Sequence, residues 1–124
     1  PVRENAALSE IAERFLTSAN NFVPVVDARN QLLGVLALHD LKEYLGEGDE
    51  VLGVIAYDLM RPPPPCVTPN QRLLEILPVV LASDMRNIPV VSTLKENRLV
   101  GALSRAEVLN IFSEVIAASS KGEG

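Results

Sequence analysis

The sequence has no tryptophan, one histidine, one cysteine and few aromatic residues. Because Cys66 stands alone, an intramolecular disulfide is excluded, and a single thiol is compatible with a reducing compartment. The core of the 124-residue chain must therefore be built from Val, Leu, Ile and Ala. No apolar run approaches the ~18–20 residues that span a bilayer, so we expect no direct membrane insertion by this chain. It does not begin with Met, and we expect it to be one part of a larger protein.

Basic character and catalytic motifs are also lacking. The net charge is −5 and the sequence pI is about 4.8, and such a surface repels nucleic-acid phosphates and anionic membranes. The sequence contains no Gly-rich phosphate loop, no Ser/His/Asp grouping and no cluster of metal ligands. We therefore expect a non-catalytic protein with no metal site and no essential cofactor.

An internal repeat organises the sequence. Aligning Pro24 with Pro89 gives an offset of 65 residues (89 − 24), which also pairs Val25 and Val26 with Val90 and Val91. After the polar turn the offset becomes 67, because "STLKEN" is two residues longer than "DARN". The later matches are Leu32 with Leu99, Gly34 with Gly101, Leu36 with Leu103, and Asp40 with Glu107. A length change confined to a turn is what a repeated hairpin tolerates.

Each copy predicts the element order β-α-β-β-α. Asn5 and Asn70 are predicted N-caps, each followed by apolar residues at helical spacing. These residues are Leu8, Ile11, Ala12, Phe15 and Leu16 in the first copy, and Leu73, Ile76, Leu77, Val80 and Leu81 in the second. Pro78 predicts a local irregularity in the second of these helices.

Two strands and a closing helix complete each copy. The predicted strands are Val23–Val26, Leu32–Leu36, Ile88–Val91 and Leu99–Leu103, and the closing helices cover about His39–Leu45 and Arg105–Ala117. A short strand is predicted at "CVT" before Asn70, with Val2 as its counterpart.

These elements predict an α+β fold of two β-α-β-β-α units, packed sheet to sheet with pseudo-two-fold symmetry. One unit alone would expose the far side of its small sheet, and two units bury it. Residues 1–50 form the first unit, whose N-terminal strand is truncated, residues 51–118 form the second, and residues 119–124 are a disordered tail. Pro62–Pro65 are interpreted as a stiff spacer rather than as an interaction motif.

Several stretches together resemble a tandem pair of CBS domains, the Bateman module. They are "VPVVD", "GVLALHDL", "DLMRPPPPCVTP", "IPVV" and "GALSRAEV", and the resemblance runs from Val2 to about Phe112. It implies a non-enzymatic regulatory module that forms homodimers and sits within or beside a channel, transporter or enzyme. It also implies AMP, ADP or ATP as regulatory ligands in clefts between the units.

A narrower resemblance concerns the host protein. "LHDLKEYL", an acidic linker and "VIAYDLMRPPPP" are similar to the cytoplasmic C-terminal region of prokaryotic CLC-type chloride channels and transporters. That resemblance implies ion transport by the host, which would be a voltage-gated chloride channel or transporter, and a cytoplasmic location for this module. Magnesium transporters and nucleotide-metabolism enzymes stay open as other hosts.

The family's nucleotide pattern, G-h-h-[S/T]-x-x-D, places a hydroxyl on phosphate and an Asp on the ribose. In the first unit Asp40 is present, but Ala37 stands where the hydroxyl belongs. In the second unit Ser104 is present, but Glu107 replaces the Asp. Ser104 and Glu107 also fit a helix capping box, and Asp40 also fits the positive end of a helix dipole.

The resemblance assigns further residues to nucleotide binding. Those near the base are Phe22, Val23, Pro24, Cys66, Thr68, Asn87, Ile88 and Pro89, and those near phosphate are His39 and Arg105. Each has a structural alternative: Phe22 and Ile88 can seal the core, Cys66 can be buried and inert, and His39 and Arg105 can be solvated. Two functions follow, a nucleotide-sensing module and a dimerisation scaffold without ligand. A stand-alone enzyme has little support.

Overall fold

The strands and helices follow the predicted order closely. The structure is a computed structural model that describes residues 1–18, 20–45 and 53–122. The first half contains β1 (Val2–Arg3), α1 (Leu8–Thr17), β2 (Phe22–Val26), β3 (Leu32–Ala37) and α2 (Leu38–Leu45). The second half contains α3 (Ala56–Leu59), α4 (Leu73–Ala82), β4 (Asn87–Val91), β5 (Leu99–Ser104) and α5 (Arg105–Gly122). The fold is α+β, as predicted.

The two hairpins have the same register. β2 and β3 pair antiparallel with Val25 opposite Gly34, and β4 and β5 pair with Val90 opposite Gly101. Both ladders shift by one residue at the next position, between Val25 and Val26 and between Val90 and Val91. The repeat seen in the sequence is therefore also a repeat of backbone pairing.

A short parallel partner lies beside each hairpin. β1 pairs with β2 through Val2 and Val25, which gives the first sheet the order β1-β2-β3. The "CVT" segment forms only an isolated bridge, between Val67 and Val90, so the strand predicted there was wrong in length. Val67 exchanges backbone hydrogen bonds with Pro89 and Val91 of β4, and the chain then turns toward α4.

The two sheets meet at their turns. An isolated antiparallel bridge joins Gln31, just before β3, to Arg98, just before β5. The Gln31 side chain also donates to the backbone oxygen of Glu96, over 3.1 Å. Matching positions of the two hairpins thus face each other, as pseudo-two-fold symmetry requires.

Each unit has its own apolar core. The buried residues of the first are Val2, Ala6, Ile11, Phe15, Val23, Val25, Leu36, Leu41 and Ala56. Those of the second are Val67, Val80, Ile88 and Val108, with Leu73, Ile76, Val79, Val90, Leu103 and Leu109 packed against them. Aliphatic side chains dominate both cores, as the composition predicts.

The predicted helix caps were wrong. α1 is preceded by Ala7 and α4 by Arg72, and neither makes a side-chain capping hydrogen bond. Asn5 and Asn70 lie further upstream in turns, where the Asn70 carboxamide oxygen accepts from the Thr68 hydroxyl over 2.8 Å. A good capping residue signals that a helix is near, but it does not fix which residue precedes the first turn.

Two of the predicted core residues are exposed to solvent. Leu16 is 86% exposed and Leu81 is also exposed, although Ile11, Phe15 and Val80 on the same helices are buried as predicted. The apolar face of each helix is therefore narrower than its pattern indicates. Pro78 lies inside α4, which continues on both sides of it.

The segment after the connection packs on the first unit. The N–H groups of Ala56 and Tyr57 donate to the oxygens of Ala6 and Glu4, each over 2.9 Å. Ala56 is fully buried in the first core, and Leu59 and Met60 pack against it. Pro62–Pro65 then run without regular secondary structure toward Val67.

The predicted unit boundary, between residues 50 and 51, lies outside the described residues. At the other end, α5 extends beyond its predicted limit at Ala117 to Gly122. The helix therefore enters the 119–124 segment predicted to be disordered, and residues 123 and 124 lie outside the description.

Candidate functional site

Two clefts occupy matching places in the two units. The first cleft has a volume of about 450 Å³ and is lined by Asn21, Phe22, Ala37, Leu38, His39, Lys42, Arg61 and Asp84. The second cleft has a volume of about 780 Å³ and is lined by Ser83, Asp84, Met85, Arg86, Ser104, Arg105, Ala106, Leu109 and Asn110. The 65- and 67-residue offsets relate most of one lining to the other, so both clefts arise from the same repeat.

The backbone forms both clefts in the same way. At the first, the Leu38 N–H donates to the Asn21 oxygen over 3.0 Å, which joins the end of β3 to the start of β2. At the second, the Arg105 N–H donates to the Arg86 oxygen over 3.0 Å. In each unit this bond brings the first turn of the closing helix beside the entry to the hairpin.

Basic side chains line the first cleft. His39 and Lys42 lie on α2, and Arg61 reaches the same place from the segment after α3. His39 is exposed, and its Nε2 lies 3.2 Å from Glu43 on the next helical turn. Within the described part of the chain, no group of three His, Cys, Asp or Glu side chains could hold a metal ion.

An ion pair connects Arg61 to Asp40. The Arg61 Nε donates to Asp40 Oδ2 over 2.7 Å, and its Nη2 donates to Oδ1 over 2.8 Å. This bidentate geometry is the strongest that a guanidinium and a carboxylate can form. Hydrogen bonds from Arg61 lower the pKa of Asp40, and the same bonds raise the pKa of Arg61. Any ligand hydroxyl on Asp40 would therefore have to share the carboxylate with Arg61.

The second cleft is lined by Arg86 and Arg105. The Arg105 Nε donates to the backbone oxygen of Val80 over 3.0 Å, so this side chain is fastened to the end of α4 rather than only solvated. The Ser104 hydroxyl oxygen accepts from the Glu107 N–H over 3.3 Å. That bond caps α5, in agreement with the capping alternative for Ser104.

Asn21 lies where the two units meet. Its Nδ2 donates to the Asp84 oxygen over 3.1 Å, and its Oδ1 accepts from the Arg86 N–H over 3.3 Å. Asn20 and Asn87 are also joined by a side-chain hydrogen bond. Asp84 belongs to the second unit but lines both clefts, so the first cleft extends across the junction between units.

The structure brings only some of the predicted site residues to these clefts. Phe22 and His39 line the first, Asp40 is held beside it by Arg61, and Ser104 and Arg105 line the second. The predicted residues that line neither cleft are Val23, Pro24, Cys66, Thr68, Asn87, Ile88, Pro89 and Glu107.

Several of those residues have structural partners. Val23 and Ile88 are buried in the two cores. The Thr68 N–H donates to the Gln71 side-chain oxygen over 2.9 Å, inside the turn before α4. Cys66 is half-buried, its Sγ lies 3.2 Å from the Pro64 oxygen, and burial raises the pKa of its thiol.

Sequence reasoning missed Lys42, Arg61, Asp84 and Arg86. A local signal was available for Arg86, which aligns with Asn21 at the 65-residue offset and directly precedes β4. Arg61 reaches Asp40 over a separation of 21 residues, and no local pattern marks such a contact.

Comparison with known proteins identifies the family. The sequence model for the CBS domain matches residues 1–47 and 55–114. This chain belongs to the CBS domain family. With two matched units and two hairpins in one register, it is a tandem CBS pair, a type of domain that is generally regulatory and non-catalytic.

Proteins similar to this chain come from distant organisms. The protein MJ1225 of Methanocaldococcus jannaschii is 28% identical over 115 residues, and the match covers 90% of this chain and 38% of that protein. Staphylococcus aureus OpuCA is 26% identical with a TM-score of 0.73, over 93% of this chain and 92% of that one.

The CBS-pair protein CBSX2 of Arabidopsis thaliana is 23% identical with a TM-score of 0.75, over 94% of this chain and 86% of that one. CBSX2 has also been solved in complex with AMP. At this level of identity the likeness shows a shared fold.

Proposed function

We propose that this CBS pair is a regulatory module of a larger protein and that it senses an adenine nucleotide in its clefts. The observation that carries this proposal is the concentration of basic side chains at the clefts of an acidic chain. His39, Lys42 and Arg61 meet at the first cleft, and Arg86 and Arg105 meet at the second. Guanidinium and ammonium groups bind phosphate through charge-assisted hydrogen bonds.

The first cleft is the better candidate for signalling, because it contains residues from both units. A nucleotide there would contact Lys42 on α2 of the first unit and lie beside Asp84 of the second. A ligand that binds one arrangement of the units more tightly shifts the population toward it. The attached host would respond to that shift. The volume of about 450 Å³ is within the usual range for small-molecule sites.

Phosphate contacts are favoured over the ribose contact that the resemblance implies for Asp40. Both carboxylate oxygens of Asp40 already accept from Arg61. The AMP complex of CBSX2, a protein of similar fold, supports AMP as the first ligand to test.

Isothermal titration calorimetry with AMP, ADP and ATP tests the proposal. We expect Lys42→Met to weaken binding by roughly tenfold or more, as loss of one charged hydrogen bond predicts. Lys95→Met is the matched control, because Lys95 is exposed on the β4–β5 turn away from both clefts. If none of the three nucleotides at millimolar concentration produces a heat of binding or a shift in melting temperature, nucleotide sensing is refuted.

A second candidate function is a homodimerisation scaffold, as the exposed apolar surface of α4 and α5 suggests. These helices pack against each other, and Leu74 on α4 is 73% exposed. Other large apolar side chains exposed on the same two helices are Leu81, Ile111, Val115 and Ile116. Exposed apolar surface of this kind is typical of interfaces.

Sedimentation velocity tests the scaffold function. Ile111→Glu should dissociate a homodimer that uses these helices, and Leu94→Glu, at another exposed apolar residue, should leave it intact. A monomer at every concentration of the unaltered chain would count against the scaffold function.

For the host, we propose the cytoplasmic part of a CLC-type chloride channel or transporter, on the strength of "VIAYDLMRPPPP" after an acidic linker. Another transporter or a nucleotide-metabolism enzyme is the alternative host. In the part of the chain that the structure describes, no helix combines the length and apolarity needed to cross a membrane. Chloride flux through the full-length protein, with and without nucleotide, tests this assignment.

A further inference from the structure

Two of the three basic side chains at the first cleft already have carboxylate partners. The His39 Nε2 lies 3.2 Å from a Glu43 oxygen, and Arg61 donates to both carboxylate oxygens of Asp40. Lys42 lines the same cleft and takes part in none of the ion pairs found in the described part of the chain. A phosphate that enters this cleft therefore meets one free ammonium group and one guanidinium that is already occupied.

The donors that Arg61 uses for Asp40 are also those that suit a phosphate. They are Nε and Nη2, at 2.7 and 2.8 Å from the two carboxylate oxygens. This fork of parallel N–H groups matches carboxylate and phosphate oxygens alike. A phosphate that takes these two donors displaces Asp40 from them.

Only the side chain of Arg61 has to move for such an exchange. Its backbone is held on β3, because its N–H donates to the Val35 oxygen over 2.8 Å and its oxygen accepts from the Val35 N–H over 3.1 Å. The Arg61 side chain is 45% exposed and that of Asp40 is 31% exposed, so the pair is open to an incoming ligand. Ion pairs near the surface contribute a factor of only about five or less to an equilibrium constant. This pair is therefore weak enough for another anion to break.

A phosphate group is an anion that can compete with Asp40 for this fork. It carries about two negative charges near neutral pH and has three acceptor oxygens, whereas a carboxylate carries one charge. Lys42 and Arg61 both line the first cleft, and Asp40 does not. A phosphate in the cleft gains both cations, which offsets the loss of the Asp40–Arg61 pair.

The second unit has no corresponding pair among its described residues. Glu107 stands at the position of Asp40 at the 67-residue offset, and it is exposed. It takes part in none of the ion pairs of the described chain. Competition between a carboxylate and a ligand for a guanidinium is therefore a feature of the first cleft.

We propose that Asp40 competes with the phosphate of the ligand for Arg61 and thereby lowers the affinity of the first cleft for phosphate-bearing ligands. The proposal rests on nucleotide sensing for the identity of the ligand, but the exchange at Arg61 needs only a phosphoryl group. A ribose contact would make Asp40 a source of affinity, whereas competition makes it a restraint. Arg61 is then the residue through which the cleft distinguishes a nucleotide from a nucleoside.

Nuclear magnetic resonance of the Arg61 side chain tests the exchange directly. The Nε–Hε resonance is assigned by its loss in Arg61→Met. Inorganic pyrophosphate and AMP should each shift it in the unaltered chain, because the acceptor changes from the Asp40 carboxylate to a phosphate. Adenosine, which has no phosphate, should leave it in place. A resonance that neither pyrophosphate nor AMP moves would overturn the proposal.

Affinities of the Asp40→Asn variant give the second test. Its affinity for pyrophosphate and for AMP should rise by roughly threefold to fivefold, because Arg61 is no longer held by an ion pair. Its affinity for adenosine should not change. Adding Arg61→Met to Asp40→Asn should remove the gain. Glu107→Gln removes one negative charge at the matching position of the second unit and should leave the affinities as they are.

The other outcomes are equally decisive. Weaker binding of both AMP and adenosine by Asp40→Asn would show that Asp40 contacts the ribose, and the proposal would be wrong. A gain that persists in the double variant would show that Asp40 acts by repulsion and not through Arg61, which also contradicts it. If pyrophosphate shows the exchange but no nucleotide binds, competition at Arg61 stands and nucleotide sensing fails.

Discussion

Asn30 and Asn97 connect the two units through reciprocal hydrogen bonds. The Asn30 Nδ2 donates to the Leu99 oxygen over 2.5 Å, and the Asn97 Nδ2 donates to the Leu32 oxygen over 2.8 Å. The backbone repeats the exchange, because the Leu32 N–H donates to the Asn97 oxygen over 2.9 Å and the Leu99 N–H to the Asn30 oxygen over 2.8 Å. Both asparagines have a left-handed backbone conformation, with φ of 63° at Asn30 and 58° at Asn97. Asparagine suits this position because it tolerates that conformation and carries an amide donor.

Substitutions at Asn97 should separate the contribution of the side-chain hydrogen bond to stability from that of the left-handed backbone conformation. Asn97→Gly removes the side-chain bond but keeps the backbone conformation, and should cost about 1 kcal/mol of unfolding free energy. Asn97→Ala should cost roughly 1–2 kcal/mol more, because alanine is unfavourable in the left-handed region. Urea denaturation of the two variants measures the difference. Equal stabilities would show that backbone conformation contributes nothing here.

The two hairpin glycines should respond oppositely to the same change. Gly34→Ala places a methyl group against the Arg61 oxygen and should destabilise the chain by about 1–3 kcal/mol, the usual cost of overpacking. Gly101→Ala meets open space and should change stability by less than about 0.5 kcal/mol. Thermal or urea unfolding compares the pair. A tolerated Gly34→Ala would mean that the Arg61 segment is easily displaced from β3.

The Asp40–Arg61 pair should make stability depend on pH in the acid range. Because hydrogen bonds from Arg61 lower the pKa of Asp40 below its ordinary value of 3.8, the folded state favours the ionised carboxylate. The stabilisation is fully present above pH 3.8 and is lost as the pH falls through the lowered folded-state pKa. Asp40→Asn should remove this part of the acid dependence.

Urea unfolding at several pH values measures that effect. The stability difference between the unaltered chain and Asp40→Asn should be constant near neutrality and should shrink below pH 3.8. Glu75→Asn is a control at an exposed carboxylate on α4. A difference that grows as the pH falls would contradict the sign of this effect.

Cys66 should react slowly with thiol reagents in the folded chain. Burial raises the pKa of its thiol, so less of the reactive thiolate is present at pH 8. We expect slower modification by a disulfide reagent than for the same chain in denaturing urea at that pH. Equal rates would show that the local structure around Pro64 and Cys66 does not shield the sulfur.

The repeat made the hairpins predictable. Pro24 and Pro89, Gly34 and Gly101, and the extra length of "STLKEN" located both ladders to within a residue or two of their observed ends. Period-two patterns and turn residues determine structure over short stretches of chain, so their effect can be predicted from a single sequence.

The parts that were not predicted depend on tertiary contacts. Leu16 fits the apolar period of α1, but no tertiary contact among the described residues buries it and it is 86% exposed. Arg61 follows a methionine in a proline-rich stretch, and only the folded chain shows that its guanidinium binds Asp40. The sequence therefore predicted which strands and helices form the candidate site, but it did not predict most of the charged residues there.

The Asn21 carboxamide has one further consequence. Asn21 lines the first cleft, and its two side-chain atoms bond to the backbone of Asp84 and Arg86 at the second. If both clefts bind ligand, as we propose, an occupant that reorients this amide on one side would change the cavity on the other, and the two affinities would be thermodynamically linked. Linkage of this kind is reciprocal, so a ligand in either cleft changes the affinity of the other cleft by the same factor.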